Sequence, residues 1–273
     1  MPELIFLKLG GSLITDKDRP YTPRLDKLAD LARQMGTLLS PQATSEADPA
    51  SRPRLILGHG SGSFGHTAAK MHGTRDGVHD ARGWQGFAEV WYQASTLNRF
   101  VVDALHKAGI PAVTFSPSAS VIASDGQVAI WETTPIRMAL ANGLLPVIHG
   151  DVVFDELRGG TILSTEDLFG YLARQLSPNR ILLAGLEAGV WEDFPARTML
   201  VTEIRPTVYE EMRASVGASA SADVTGGMAA KVEQMLELVR EVPGMTAQIF
   251  SAEEDGNLAK ALSGERVGTL ITA

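Results

Sequence analysis

The chain has 273 residues, 44% hydrophobic and 21% charged, which suits a globular protein with a full core built as one large or two small domains. Its formal charge of −8 makes it a poor general binder of nucleic acid or anionic membrane, so a phosphate ligand would have to be met by locally placed cations. It has no cysteine, which excludes disulfides, thiolate metal sites and a cysteine nucleophile and fits a reducing compartment. No run of about 18 apolar residues and no basic-then-apolar leader is present, so a cytoplasmic location is expected, with no membrane partner.

Leu4 to Leu9 reads as a buried strand containing one lysine, Lys8, and it ends in the turn Gly10-Gly11-Ser12. A lysine in such a strand suits a ligand cleft at the strand's carboxyl end, where open α/β sheets bind ligands. The alternative is an edge strand with a solvated lysine. The turn is neither a Walker A loop nor a Rossmann fingerprint. A polar loop carrying Lys17 follows; alone, that lysine reads as solvated. Thr22-Pro23 predicts a helix start, with Leu25, Leu28, Leu31, Met35 and Leu38 at helical spacing. Residues 40–53 have the composition of a surface insertion.

Leu55-Ile56-Leu57 predicts a second buried strand, running into Gly58-His59-Gly60-Ser61-Gly62-Ser63-Phe64-Gly65-His66. Four glycines in this stretch let backbone amides approach an anion, phosphate above all. A flexible linker is the alternative, but linkers seldom follow a buried strand directly. The helix whose N-terminus faces the anion is predicted at Thr67–Met71, and residues 72–83 as a loop or lid. A long helix then carries Phe87, Val90, Trp91, Ala94, Leu97, Phe100, Val101, Ala104 and Leu105 at core spacing. Part of that aromatic stripe could also line an apolar pocket.

Strands are predicted at Ala112–Phe115 and Leu144–Ile148, with short antiparallel strands about the Asp125-Gly126 turn and a helix from Thr134 to Asn142. A hairpin through Arg158-Gly159-Gly160 leads to a helix opened by Ser164-Thr165-Glu166-Asp167, close to a capping box. A strand at Arg180–Ala184 precedes Gly185–Trp191. Residues 213–223 read as mobile. A helix opening at Asp223 to Met228 carries Lys231, and strands at Gln248–Phe250 and Gly268–Ile271 with a short helix between them close the chain. Strands and helices alternate throughout, which predicts a three-layer αβα sandwich with a mainly parallel central sheet. The expected organisation is one domain, with lobes at about 1–176 and 177–273.

Lys8-Leu9-Gly10-Gly11-Ser12, then Asp16-Lys17, then the loop ending Gly62-Ser63-Phe64-Gly65-His66, then Thr225-Gly226-Gly227-Met228 with Lys231, resemble the amino acid kinase family in order and over nearly the whole chain. The Phe64-Gly65-His66 ending is similar to the branch that phosphorylates isopentenyl phosphate. The resemblance implies an αβα sandwich of about eight strands, a homodimer, and transfer of the γ-phosphoryl group of ATP, accompanied by Mg²⁺, to isopentenyl phosphate, with dimethylallyl phosphate as a further acceptor. By that resemblance Lys8, Lys17, His66 and Lys231 carry the reaction. Lys8, Gly10, Gly11, Ser12, Ser61, Gly185, Gly227 and Lys231 bind the nucleotide. Gly60, Ser61, Gly65, His66 and Thr165 hold the acceptor phosphate, the glycine loop and Thr165 through their amides. No residue is assigned to a metal. His59 is read as structural.

The sequence departs from the family pattern in three places. Ser61 interrupts the expected run of three glycines. Ser164-Thr165-Glu166-Asp167 replaces Ser-Gly-Asp-Asp, leaving Glu166 and Asp167 as alternatives for the acid that orients the lysines. Gly185-Leu186-Glu187-Ala188-Gly189-Val190-Trp191 keeps only the end of Thr-Asp-Val-Asp-Gly-Val-Tyr. Two other readings stay open: a related kinase acting on a phosphonate such as fosfomycin, another small phosphate or an amino acid, and a phosphate-sensing protein without kinase activity. Retention of all three lysines weighs against sensing alone.

Overall fold

The structure, a computed structural model, describes residues 2–39, 53–210 and 226–273. The expected insertion at 40–52, the segment 213–223 and the start of the last long helix, Thr225 included, lie outside the described residues. In chain order the elements are β1 (Leu4–Leu9), α1 (Gly11–Ile14), α2 (Leu25–Leu39), β2 (Arg54–His59), α3 (Gly62–His72), α4 (Ala81–Lys107), β3 (Ala112–Thr114), α5 (Pro117–Ser120), β4 (Val121–Ser124), β5 (Gln127–Trp131), α6 (Thr134–Ala141), β6 (Leu145–His149), β7 (Asp151–Asp155), β8 (Gly159–Leu163), α7 (Thr165–Leu176), β9 (Arg180–Gly185), β10 (Val190–Trp191), β11 (Leu200–Val201), β12 (Glu203–Ile204), α8 (Gly226–Glu241), β13 (Thr246–Ser251), α9 (Asn257–Leu262) and β14 (Thr269–Ile271).

Eight strands form one sheet in the order β12-β14-β13-β9-β1-β2-β6-β3. Every neighbouring pair is parallel except β13 with β14. Strand β1 sits at its centre, and alternation along it assigns the two faces. Leu4 and Phe6 enter a core with Phe169 of α7 and Val232, Met235 and Val239 of α8. Ile5, Leu7 and Leu9 enter another, with Leu28 and Leu31 of α2, Leu97 and Val101 of α4 and Leu258 of α9. Helices cover both faces, so the αβα sandwich predicted from the alternation is the observed fold. After β3, and again at Gly150, the chain leaves this sheet to build a second one of four strands, β5-β4-β7-β8.

Several local expectations are corrected. Helix α2 starts at Leu25 rather than at Thr22, because residues 22–24 pair back onto 14–16: the Asp16 amide donates to the Thr22 carbonyl at 2.9 Å and the Arg24 amide to the Ile14 carbonyl at 2.8 Å. Residues 11–14 coil into a short helix instead of a plain turn. Helix α3 starts at Gly62, five residues before Thr67, because Phe64 is buried between Tyr21 and Phe100 and drives the preceding turn into the core. Trp91 is 44% exposed. It lies one residue round the helix from Val90, past the edge of the buried stripe.

Gly58 shows what the packing demands. A Cβ there would lie 2.4 Å from Thr165 Cγ2 and 2.7 Å from the Phe169 ring. Only glycine lets the first turn of α7 settle onto β2. Gly58→Ala should therefore overpack the contact and lower the unfolding free energy by about 1–3 kcal/mol, read from chemical denaturation; an unchanged midpoint would refute the close approach.

Candidate active site

The carboxyl ends of β1, β2 and β9 lie side by side, with Lys8 opposite Gly58 on one strand and Leu183 on the other. The two glycine turns that follow β1 and β2 interlock backbone to backbone. The Gly60 amide donates to the Leu9 carbonyl at 3.0 Å, and a Cβ on Gly11 would stand 2.4 Å from the Gly62 nitrogen. Thr15 fastens them together: its hydroxyl donates to the Gly11 carbonyl at 2.8 Å and accepts from the Ser63 amide at 3.0 Å. On the other side, the Gly10 amide donates to the Ala184 carbonyl at 2.8 Å, next to Gly185.

These bonds correct part of the expected cradle. The amide of Gly60 is taken by Leu9, and that of Gly65 by the Ser61 carbonyl at 3.2 Å, so neither is free for an anion. Their contribution is the close packing that a side chain would prevent; a Cβ on Gly65 would strike Ser61. The amides of Ser61 and Gly62, at the open end of α3, take no acceptor among the described residues, as a helix's first amides leave unmet.

Lys8 rises from the centre of the sheet and is 8% exposed. Its ammonium donates to Oε1 of Glu166, in the first turn of α7, itself 8% exposed. Burial opposes ionisation of Glu166. The Lys8 charge, the Lys8 hydrogen bond and then the Lys231 charge outweigh it, holding the carboxyl below its ordinary range. Lys231, on α8, is likewise pushed below its ordinary range, first by burial, then by the Lys8 charge and more weakly by Lys17, with Glu166 opposing. Gln234, one turn beyond Lys231, donates to the Glu166 carbonyl at 3.0 Å and ties α8 to α7. One carboxylate thus pairs with the buried Lys8 and acts through its charge on the half-buried Lys231, with the exposed Lys17 close enough to act on Lys231.

Of the two acids left open by the sequence, Glu166 takes this place, because Asp167 is committed to the capping box: it accepts from the Ser164 amide at 2.8 Å while its own amide donates to the Ser164 hydroxyl at 3.1 Å. Thr165 is buried, and its hydroxyl donates to the His59 carbonyl at 2.6 Å, bringing the N-terminus of α7 to the end of β2. Ser12 lies in α1 and is half-buried; Gly185 and Gly227 leave open space where a side chain would stand. His66 lies in the second turn of α3; its side chain is outside the described residues. Sequence reasoning missed Thr15 and Gln234. Neither stands in a recognisable motif, and each is defined by a partner from another element. A groove of about 780 Å³ between α2 and α4, lined by residues such as Leu28, Arg33 and Phe100, includes none of the residues of this cleft.

Two interlocked glycine turns, two helix N-termini and a cluster of lysines around one carboxylate define a cleft for polyanionic small molecules in an αβα sandwich. The model of the amino acid kinase family matches residues 3–251, and the chain belongs to that family. It is 33% identical to the isopentenyl phosphate kinase of Methanocaldococcus jannaschii, over 98% of both chains, and 36% identical to that of Haloferax volcanii, again over 98% of each. A solved structure of isopentenyl phosphate kinase superposes with a TM-score of 0.80 at 30% identity, covering 98% of this chain and 100% of the other.

The ion pair sets a pH dependence. Glu166 titrates below its ordinary 4.5 in the folded chain, so its stabilisation is fully present above that value and is lost as pH falls through the lower folded value. Glu166→Gln should cost about 3 kcal/mol near neutrality, because the buried Lys8 ammonium loses its partner and the half-buried Lys231 its counter-charge. The difference between variant and wild type should shrink below about pH 4 in denaturant titrations. A pH-independent difference would show that the charge is not what stabilises.

Proposed function

We propose that this chain transfers the γ-phosphoryl group of ATP to the phosphate of isopentenyl phosphate, giving isopentenyl diphosphate and ADP. The observation that carries the reading is the Lys8–Glu166–Lys231 cluster at the mouth of the two glycine turns, in a chain aligned end to end with isopentenyl phosphate kinases. An acceptor phosphate oxygen attacks the γ-phosphorus, and the bond to the oxygen bridging to the β-phosphate breaks. The acceptor is a phosphate monoester already ionised near neutral pH, so no strong general base is needed. What the reaction needs is relief of repulsion between two anions and stabilisation of charge on the transferring group.

In this reading Lys8 and Lys231 bind the nucleotide phosphates, with the turn Gly10-Gly11-Ser12, Ser61, Gly185 and Gly227 around them, and Lys17 follows the transferring group. Glu166 keeps Lys8 and Lys231 charged and aimed. The acceptor phosphate lies against the Ser61 and Thr165 amides with His66 as donor, while Gly60 and Gly65 allow the close approach. An apolar core of Ala68, Val78, Phe87, Val90 and Val152 packs α3, the helix that carries His66, against α4 and β7, an apolar setting that favours a hydrocarbon-bearing acceptor over an amino acid. Dimethylallyl phosphate would fit the same features. The N-terminal lobe (about 1–176) then serves the acceptor and the remainder the nucleotide.

Mg²⁺ would enter with ATP, since the donor set here suits phosphates more than a metal: two lysines, with Lys17 near the second, face one carboxylate, and that carboxylate is bonded to Lys8. Bound to the phosphates, it would neutralise part of their charge. A homodimer in the cytoplasm completes the proposal, in line with the family resemblance and the acidic, cysteine-free composition. Among the described residues no helix is long and apolar enough to cross a membrane.

An ATP-consumption assay over isopentenyl phosphate, dimethylallyl phosphate, fosfomycin, acetylglutamate and UMP should give turnover with the prenyl phosphates; none above background with either would overturn the proposal. His66→Ala should raise the acceptor KM far more than the ATP KM, by about 1.5–3 kcal/mol of lost charge-assisted bonding. Lys17→Ala should instead lower kcat by about 10²-fold with little change in either KM, as removal of a donor to developing charge does. Unchanged kinetics in either variant would remove that residue from the mechanism.

A further inference from the structure

His59 is the last residue of β2 and is fully buried. Its backbone carbonyl accepts from the Thr165 hydroxyl at 2.6 Å and from the Gly150 amide at 3.1 Å, gathering the ends of β2 and β6 and the start of α7 at one oxygen. Its ring nitrogens are both engaged: Nδ1 lies 3.1 Å from the Gly60 carbonyl oxygen, and Nε2 lies 3.1 Å from Oδ1 of Asn98 on α4. Nδ2 of Asn98 in turn donates to the Thr114 hydroxyl at 2.9 Å. His149 stacks on the ring at 5.4 Å, with planes 9° apart.

Burial, against weaker support from the Gly60 and Asn98 bonds, pushes the His59 imidazole below its ordinary range, so the ring is neutral and has one N–H to give. With that hydrogen on Nδ1 it donates to Gly60. As placed, both ring nitrogens face oxygens, which a single N–H cannot serve; exchanging the nitrogen and oxygen of the Asn98 amide satisfies every group, with Thr114 donating to Asn98, Asn98 to His59 and His59 to Gly60. The Gly60 carbonyl and the Ser61 N–H belong to one planar trans peptide and point in opposite directions. A donor that holds the carbonyl inward therefore turns the Ser61 amide outward, into the cleft.

We propose that His59, held by Asn98, is a positioning residue that aims the Ser61 amide at the acceptor phosphate. This rests on the acceptor site proposed above. It assigns His59 no contact with substrate; it acts through one peptide plane.

The test compares His59→Leu, His59→Asn and Asn98→Ala with wild type in steady-state kinetics with isopentenyl phosphate and ATP, alongside thermal unfolding. His59→Leu removes the donor and should raise the acceptor KM about tenfold, the loss expected for one misdirected bond to a charged group, with the ATP KM within about twofold. His59→Asn places its amide nitrogen where Nδ1 stood and should recover most of that loss. Asn98→Ala leaves the ring free to turn and should raise the acceptor KM in the same direction by about threefold; it decides the matter if His59→Leu fails to fold. An acceptor KM unchanged in both, a rise shared equally by ATP, or no rescue by His59→Asn overturns the role. Wild-type protein that turns over no prenyl phosphate overturns the acceptor site itself, and this role with it, a result distinct from failure of the variants alone.

Discussion

A lysine ammonium at the centre of a parallel sheet is costly to bury, and the rest of the cleft is arranged around keeping Lys8 charged there. Its partner, Glu166, comes from 158 residues away along the chain. For that carboxylate to reach, the first turn of α7 must sit directly on β2, which Gly58 permits. For the second cation to share it, α8 must lie against α7, which the Gln234 bond to the Glu166 carbonyl secures. A strand glycine, a helix cap and a surface-looking glutamine thus all serve one ion cluster.

The glycine turns follow a related logic. Glycines here do less to expose amides than to let two turns touch. Gly11 against Gly62 and Gly60 against Gly11 bring the ends of β1 and β2 into backbone contact, with Thr15 bridging them. The donors that stay open are then few and directed, at Ser61, Gly62 and the start of α7. Preorganised donors of this kind stabilise developing charge without reorganising at the moment of reaction, which is the main demand that phosphoryl transfer places on a protein.

Much of this was legible in the sequence because it is periodic or local. Apolar strands alternating with amphipathic helices gave the layers; Lys8 before Gly10-Gly11, and glycines after Leu55-Ile56-Leu57, marked strand ends as ligand sites; Ser164 and Asp167 announced a capping box. The misreadings have a common origin in tertiary packing. Phe64 looked like part of a glycine loop, yet its burial between Tyr21 and Phe100 draws the helix start back to Gly62. Thr22-Pro23 had the signature of a helix start, but pairing with residues 14–16 claims that backbone. Trp91 fitted the spacing of a core stripe and falls just outside it.

The sequence by itself determined the sandwich, the order of its elements and the lysines and glycines from which a phosphate cleft could be made, since hydrophobic period and turn chemistry act over a few residues. Tertiary structure alone decided which acid joins the lysines, which amides remain free and which histidine is buried behind the loop. Those outcomes depend on groups distant in sequence competing for the same partner: Asp167 is taken by Ser164 and leaves Glu166 to Lys8, while the Gly60 amide is taken by Leu9.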